Sequence, residues 1–406
     1  MRILIATHGT RGDVQPVLAL AIALRARGHD ARFVAPANFV EWIASYGFRC
    51  ESDGVDVEAV LRGPDLDFQS VRSQMRYMKK IAPRLFDAVE RASVGADLIL
   101  GAGIPIAAPS IADLRGVPYV NAVFCPCAVP SSLAPPIRWQ TLPAWVNRLL
   151  WRVIAQAIAV MLGGPINAGR ARLGLAPIKS PIKAATDHPI IVAADSELAP
   201  LPPDAPPTAV RTDAWILEDN RDLDPAVAAF IGAGPPPIYV GFGSMVAKRL
   251  DRLVSSLARV AATCGCRMIV AGGWAALDGL MSSSNDVLVI AQAPHQALFP
   301  RVAAVVHHGG AGTTTAAARA GVPQVILPHI LDQYYWAHRI AVLGLGPESL
   351  PVERADAKAL ADRLRLVLDG TRFRERARDV GARVAGRDGV APAVEHLEQI
   401  LARCRA

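Results

Sequence analysis

The stretch His307-His308-Gly309-Gly310-Ala311-Gly312-Thr313-Thr314 gathers two imidazoles, three glycines and two hydroxyls, and Asp332-Gln333 follows shortly after. An apolar run over Ala303–Val306 reads as a buried strand, and the alanine-rich run Thr313–Ala320 reads as a helix. Glycines in a strand-to-helix turn let backbone N–H groups approach a ligand closely, and the helix N-terminus adds partial positive charge there. That combination suits a pyrophosphate. The plainer alternative is a glycine-rich turn that only packs helix on strand.

A second constellation opens the chain. His8-Gly9-Thr10-Arg11-Gly12-Asp13-Val14-Gln15-Pro16 follows the apolar run Arg2–Thr7. Gly9 and Gly12 permit a tight turn, and Asp13 reads as the N-cap of a helix beginning near Val14, a role worth about 1 kcal/mol. It reads equally as a carboxylate at the mouth of a sheet, able to take a proton. Arg11, two residues before it, favours the second reading.

The elements that must position these groups alternate regularly. Strands are expected at Arg2–Thr7, Ala31–Ala35, Leu98–Gly101, Tyr119–Phe124 and Pro189–Ala193, with helices at Val14–Arg27, Phe39–Tyr46, Ser70–Ala92 and Ala144–Leu162. Prolines then crowd between Pro200 and Pro237 and read as an inter-domain linker. The alternation restarts with strands at Ile238–Gly241, Arg267–Ala271, Val287–Ile290, Ala303–His307 and Gln324–Leu327. Two consecutive βαβ series predict an α/β fold of two facing, Rossmann-like, doubly wound parallel-sheet domains, each opening a crevice at its strand carboxyl ends. The expected boundaries are 1–217 for the first domain, 218–237 for a Pro-rich linker and 238–385 for the second domain. Residues 386–406 are expected to form a C-terminal helix packing back on the first domain.

Composition narrows the classes. With 52% hydrophobic and 19% charged residues, the 406-residue chain is ordinary globular protein. A net charge of +7 favours anionic ligands such as nucleotides, or loose contact with acidic lipid headgroups. No Lys/Arg cluster interleaved with aromatics occurs, so no nucleic-acid partner is expected. The six cysteines include Cys125/Cys127 and Cys264/Cys266, which lack metal or redox spacing and read as free thiols of a cytoplasmic protein. Asp65/Asp67 and Asp222/Asp224 read as loop or capping residues rather than ligands, and no metal is expected. The apolar tract from Leu142 to Gly164 is interrupted by Asn147, Arg148, Arg152 and Gln156, the pattern of an amphipathic helix rather than a membrane span.

Gly9-Thr10-Arg11-Gly12-Asp13-Val14-Gln15-Pro16 resembles the N-terminal signature of sterol glucosyltransferases and antibiotic glycosyltransferases. Pro294-His295-Gln296-Ala297-Leu298-Phe299-Pro300-Arg301, the His307–Thr314 turn, Arg319-Ala320-Gly321-Val322-Pro323-Gln324 and Asp332-Gln333 resemble their donor-side signature, in the same order. Tyr239-Val240-Gly241-Phe242-Gly243-Ser244-Met245 is similar to the strand and turn opening the donor domain. The resemblance is to the nucleotide-sugar-dependent glycosyltransferases of family 1, with the two-domain GT-B fold, and it spans both halves of the chain.

The resemblance implies specific roles. Asp13 would be the general base, standing where plant relatives place a catalytic histidine. Thr10 and Arg11 would line the turn near the donor sugar and phosphates, with Ser244 approaching from the opposite side. His308, Gly309, Gly310, Gly312 and Thr313 would hold the pyrophosphate, while Asp332 and Gln333 would bond the sugar hydroxyls. Plant members carry a ribose-binding glutamate where this chain has Ala316, and a base-stacking tryptophan near Gln292, which leaves uridine and thymidine both open as the donor base. Met75, Tyr77, Met78 and Phe124, with Trp139 and Trp145, would line a pocket or mouth for a lipophilic acceptor; the alternative for the tryptophans is a helix that merely covers a core, and the same tract could rest on a membrane surface. The expected reaction is inverting and metal-independent. A hexose passes from a UDP- or dTDP-sugar to a hydroxyl of a sterol, macrolide, polyketide or other hydrophobic acceptor, with no cofactor beyond the nucleotide-sugar co-substrate. The alternatives are a nucleotide-sugar epimerase of the same two-domain plan, and a non-catalytic sugar-nucleotide or lipid-binding protein.

Overall fold

The computed structural model describes residues 1–63, 71–135, 137–243, 253–273 and 283–405. Seven strands form the first sheet: β1 (Arg2–His8), β2 (Asp30–Ala35), β3 (Arg49–Ser52), β4 (Leu98–Gly103), β5 (Tyr119–Val123), β6 (Ile190–Ala193) and β7 (Ala209–Thr212). They lie in the order β3-β2-β1-β4-β5-β6-β7, every pair parallel. The second sheet orders β8 (Ile238–Gly241), β9 (Met268–Ala271), β10 (Val287–Ile290), β11 (Ala304–His307) and β12 (Gln324–Ile326) as β10-β9-β8-β11-β12, again parallel. This is the pair of doubly wound α/β domains that the alternation predicts.

Central strands are apolar throughout because helices cover both faces of each sheet. Ile3, Leu4, Ile5 and Ala6 are all buried, Ile3 and Ile5 beneath helix Arg11–Ala26 and Leu4 and Ala6 beneath helix Val71–Ala92. The C-terminal helix Val390–Arg405 joins the first of these layers, burying Val394, Leu397 and Leu401 beside Leu20 and Leu24. His29 Nε2 meets Glu398 Oε1 at 2.9 Å and anchors it from the outside.

Three local expectations are corrected. Edge strands β3 and β7 were not anticipated: each is four residues long and carries no continuous apolar run. Within 218–237, Pro225 starts a helix, Pro225–Gly232, capped by Asp224 and burying Val227 in the second domain. Proline fits a first helical turn because its missing N–H has no partner to lose there. The long helix runs Ala144–Arg172, past Gly163-Gly164-Pro165, because Arg170 pins its end to Asp113 at 2.7 Å and to the Ala176 carbonyl at 2.6 Å.

Topology decides where ligands sit. Strand order reverses between β1 and β4 in one sheet and between β8 and β11 in the other, so each crevice opens at those carboxyl ends. His8 and Gly103 end the first pair, Gly241 and His307 the second. The domains share an apolar core in which Val129, Ile190 and Leu198 pack with Ala318, Trp336, Ile340 and Val384. Across this contact Arg319 grips Asp195 as a fork, Nη2 to Oδ1 at 2.8 Å and Nε to Oδ2 at 3.1 Å. Asp195 is fully buried and also accepts from the Ala214 N–H.

Asp195→Ala strands the Arg319 charge and should cost about 3–5 kcal/mol in denaturant unfolding. Adding Arg319→Met should recover part of that loss. A single variant as stable as the parent would show that this pair does not hold the domains together.

Candidate active site

The turn after β1 is built around a carboxylate. Thr10 is the N-cap of helix Arg11–Ala26, and Asp13, at the third helical position, closes a capping box with it. The helix therefore begins two residues before the expected N-cap, and Asp13 sits inside its first turn. Asp13 Oδ2 accepts from the Thr10 N–H at 2.8 Å and from the Thr10 hydroxyl at 3.4 Å. Both bonds run to Oδ2, which leaves Oδ1 to act as an acceptor towards the crevice. Glycine is required on both sides of this carboxylate. A Cβ on Gly9 would collide with Oδ2, and one on Gly103, whose φ is +72°, would lie 3.1 Å from the Asp13 Cγ.

Behind Asp13 lies a pair that the residue spacing did not reveal. His8 Nδ1 donates to Asp53 Oδ2 at 2.6 Å, and Asp53 Oδ1 accepts from the Val55 N–H at 2.9 Å. Asp53 comes from the loop after β3, so only sheet pairing brings it under β1. Burial raises the Asp13 carboxyl above the usual carboxylate range, and the Thr10 N–H and the charge of protonated His8 oppose that rise.

The opposite crevice carries the glycine-rich turn. His307 is fully buried; the Gly309 N–H donates to its Nδ1 at 3.1 Å, so Nε2–H donates to Gln324 Oε1 at 2.8 Å. His307 thus fixes the turn. Gly309 has φ +90°, and a Cβ there would lie 2.8 Å from Ile326 and 3.0 Å from the Gln333 carbonyl. His308 lies between Gly243 and Gly310, where a Cβ on Gly310 would overlap its Nε2. Burial and the neighbouring His307 and His329 push His308 down to about 3, so its ring is neutral at working pH. Its Nδ1 is buried with no hydrogen-bond partner among the described residues.

Helix Ala311–Arg319 begins at Gly310 without a side-chain cap, which leaves its first-turn N–H groups, with Gly312 and Thr313, available to an anion. Thr314 and Thr315 are buried, and the Thr314 hydroxyl donates to the Gly310 carbonyl at 2.9 Å. Ser244 lies outside the described residues.

Asp332 opens helix Asp332–Leu343, directly after Leu331, whose φ of +46° is strained for a non-glycine residue. Burial, and then the charge of Asp13 across the cleft, push Asp332 up to about 7. Asp332 therefore lies within electrostatic reach of Asp13, which belongs to the other domain. Arg11 spans the same gap at its rim: its guanidinium lies over the Trp42 ring at 4.9 Å and donates to exposed Gln292 at 3.3 Å. Gln333, the residue after Asp332, is tied to the preceding loop. Its Oε1 accepts from the His329 and Ile330 N–H groups at 2.8 and 3.2 Å, so the carbonyl end holds the loop.

His329 was passed over in the sequence, where it belongs to no motif. Both its ring nitrogens are buried without partners among the described residues, its ring sits edge-on to Phe242 at 6.1 Å, and burial pushes it down to about 4. This neutral imidazole follows β12 and lies close enough to His308 to influence its titration.

The expected acceptor residues separate. Met78 is buried with Ile81, Leu85 and Phe86 beneath the first sheet, and Phe124, partly buried, packs edge-on against Trp215 at 6.0 Å. Met75 is half-buried on the same helix as Met78, while Trp139 and Trp145 are exposed. Of the Asp-x-Asp pairs, Asp224 is a helix cap, its Oδ1 accepting from Ala226 at 2.8 Å, and Asp65/Asp67 lie outside the described residues.

The Gly310 seat is testable on its own. Gly310→Ala should turn the His308 ring and weaken nucleoside diphosphate binding roughly 10- to 100-fold in calorimetry, the scale of one lost hydrogen bond to a charged group. Because the Gly310 φ of −66° suits alanine, the fold should stay intact. Unchanged affinity would remove His308 from the cradle.

Residues 3–111 match the Glycosyltransferase family 28 N-terminal domain, and residues 251–400 match the Erythromycin biosynthesis protein CIII-like C-terminal domain. The chain is 41% identical over 355 residues to a vancomycin aglycone glucosyltransferase of Amycolatopsis orientalis, covering 85% of each. It is 31% identical over 422 residues to an O-mycaminosyltylonolide 6-deoxyallosyltransferase of Streptomyces fradiae, covering 98% of this chain and 97% of that one. Among solved structures, the glycosyltransferase VinC in complex with dTDP has the same fold, with a TM-score of 0.69 at 19% identity over 99% of this chain and 100% of VinC. Two parallel-sheet domains that turn an acid and an anion cradle towards one cleft, and relatives of this closeness over most of the length, agree: the chain is a GT-B glycosyltransferase of the antibiotic and natural-product type.

Proposed function

We propose that this enzyme transfers a hexose, with inversion, from a UDP- or dTDP-sugar to a hydroxyl of a hydrophobic acceptor, with Asp13 as general base. The observation that carries the proposal is the placement of Asp13 across the cleft from Asp332 and beside the crevice that faces the His308 turn. A nucleotide sugar lying with its diphosphate at the start of helix Ala311–Arg319 would set its sugar towards Asp332. The acceptor hydroxyl would enter from the first domain, beside Asp13. Asp13 Oδ1 takes the hydroxyl proton as the oxygen attacks the anomeric carbon, and the nucleoside diphosphate leaves on the opposite side. A single displacement of this kind inverts the anomeric centre.

Charge grows on the leaving diphosphate, and preorganised donors stabilise it: the uncapped helix N–H groups and neutral His308. No resident metal is needed for that task. A carboxyl raised by burial is a better base near neutral pH than an exposed aspartate, provided that it remains ionised. His8, fixed by Asp53, supplies the opposing influence. The relatives named above are named for a vancomycin aglycone and for O-mycaminosyltylonolide, which supports a bulky natural-product acceptor here.

Asp13→Asn keeps an oxygen for the Thr10 cap but cannot accept the proton. Turnover should fall about 10²- to 10⁴-fold while calorimetric donor binding persists; near-normal turnover would remove Asp13 as base. Product mass spectrometry against a panel of sugar nucleotides and hydrophobic alcohols identifies both substrates, and a product formed from the sugar nucleotide alone would point to epimerisation.

The rate should also depend on pH through the same carboxyl. Activity needs the carboxylate, so it is lost as pH falls through the raised Asp13 pKa. His8→Gln removes a positive charge that favours ionised Asp13, and the acid limb of the kcat profile should move to higher pH. A limb that stays in place would uncouple His8 from the base.

A further inference from the structure

The long helix Ala144–Arg172 presents an exposed face that the glycosyl-transfer chemistry does not use. Trp145, Leu149, Val153 and Val160 are each between 51% and 66% exposed. At a helical repeat of 3.6 residues these four fall within about 80° of arc, a continuous apolar stripe. Trp139 and Leu133, in the preceding loop, extend the patch and are exposed to the same degree. Soluble surfaces rarely leave so many large apolar side chains together.

Charge flanks the stripe on one side. Arg148 and Arg152 are exposed along its edge, and Arg138 lies over the Trp139 ring at 5.6 Å. The helix contains four arginines and no aspartate or glutamate. Arg148 and Arg152 have no acidic partner among the described residues, whereas Arg170 and Arg172, at the far end, pair with Asp113 and Asp87. An apolar stripe with a purely cationic border complements an anionic bilayer surface, where arginine meets phosphate and tryptophan sits at headgroup depth.

The helix is long and apolar enough to cross a bilayer, but its other side is committed to the protein. Asn147 donates to the Ser132 carbonyl at 2.8 Å, Asn167 to the Ile178 carbonyl at 3.0 Å, and Gly169 lies against the Phe86 ring. Crossing would tear these contacts, so the helix lies on a surface. Burial and then Glu353 raise the Tyr334 hydroxyl, two residues after Asp332, and the charge of Arg138 on the patch opposes that rise.

We infer that the exposed face of helix Ala144–Arg172 docks this enzyme on an anionic lipid bilayer, with the cleft mouth held at the membrane surface. The inference does not depend on the identity of the acceptor or on Asp13 as base.

The test is co-sedimentation of the full chain with vesicles of phosphatidylcholine alone or mixed equally with phosphatidylglycerol. Binding should require phosphatidylglycerol and weaken with salt. Replacing Arg148 and Arg152 by Gln should weaken it roughly 30-fold. Leu149→Ser with Val153→Ser should reduce binding to the phosphatidylglycerol vesicles at low and high salt alike, and thermal unfolding should be unchanged because these side chains are exposed. Turnover of a water-soluble acceptor should survive both double variants, which separates loss of docking from loss of catalysis. Absence of vesicle binding overturns the inference. So does binding unaffected by the substitutions, or a concentration-dependent dimer that buries Trp145 without lipid.

Discussion

The Asp195–Arg319 fork and the apolar contact around it set the geometry on which everything else rests. Each doubly wound sheet supplies one crevice wherever its strand order reverses, but nothing in either sheet dictates that the two crevices meet. Arg319 is the last residue of the helix whose first turn forms the anion cradle, and Asp195 follows β6 of the other domain. A bidentate guanidinium–carboxylate pair fixes both distance and orientation. Trp336 and Ile340, packed in the same contact, belong to the helix that begins with Asp332. One buried contact therefore orients both donor-side helices relative to the first domain.

That orientation brings two carboxyls together, and like charges in a recessed gap raise each other's proton affinity. At Asp332 burial and the charge of Asp13 both raise the carboxyl, whereas at Asp13 the Thr10 N–H and the His8 charge oppose the rise that burial causes. Environments that differ in this way suit two neighbouring acids to different tasks, Asp13 to the proton-accepting role proposed above. Asp332 is readily protonated, and can meet a sugar hydroxyl as donor or acceptor.

Much of this was legible in the residues. Apolar runs such as Ile3-Leu4-Ile5-Ala6 announce buried parallel strands because both faces must be apolar, and the glycines around His308 announce a close approach. The edge strands β3 and β7 were not legible, since an edge needs only one buried face and few residues. Nor was the loop contact of Gln333, whose Oε1 accepts from the His329 and Ile330 N–H groups. Asp53 was out of reach for a different reason. It is 45 residues from His8, in a loop that gives no motif, and only the register of β1, β2 and β3 joins them.

The neutral state of the turn histidines has a consequence for ionic strength. His307 and His308 are both held far below the usual imidazole range by burial, so across physiological pH the cradle contributes oriented dipoles rather than net charge. Mobile ions screen charge–charge attraction over a Debye length of about 10 Å at 0.1 M salt, but they compete poorly with short, directional bonds in a recessed turn. The proposed hold of this turn on a diphosphate, resting on short directional bonds, is therefore less sensitive to salt than the proposed docking of the arginine-bordered outer helix, whose attraction is ionic. A single change in the surrounding electrolyte separates the two ends of the molecule.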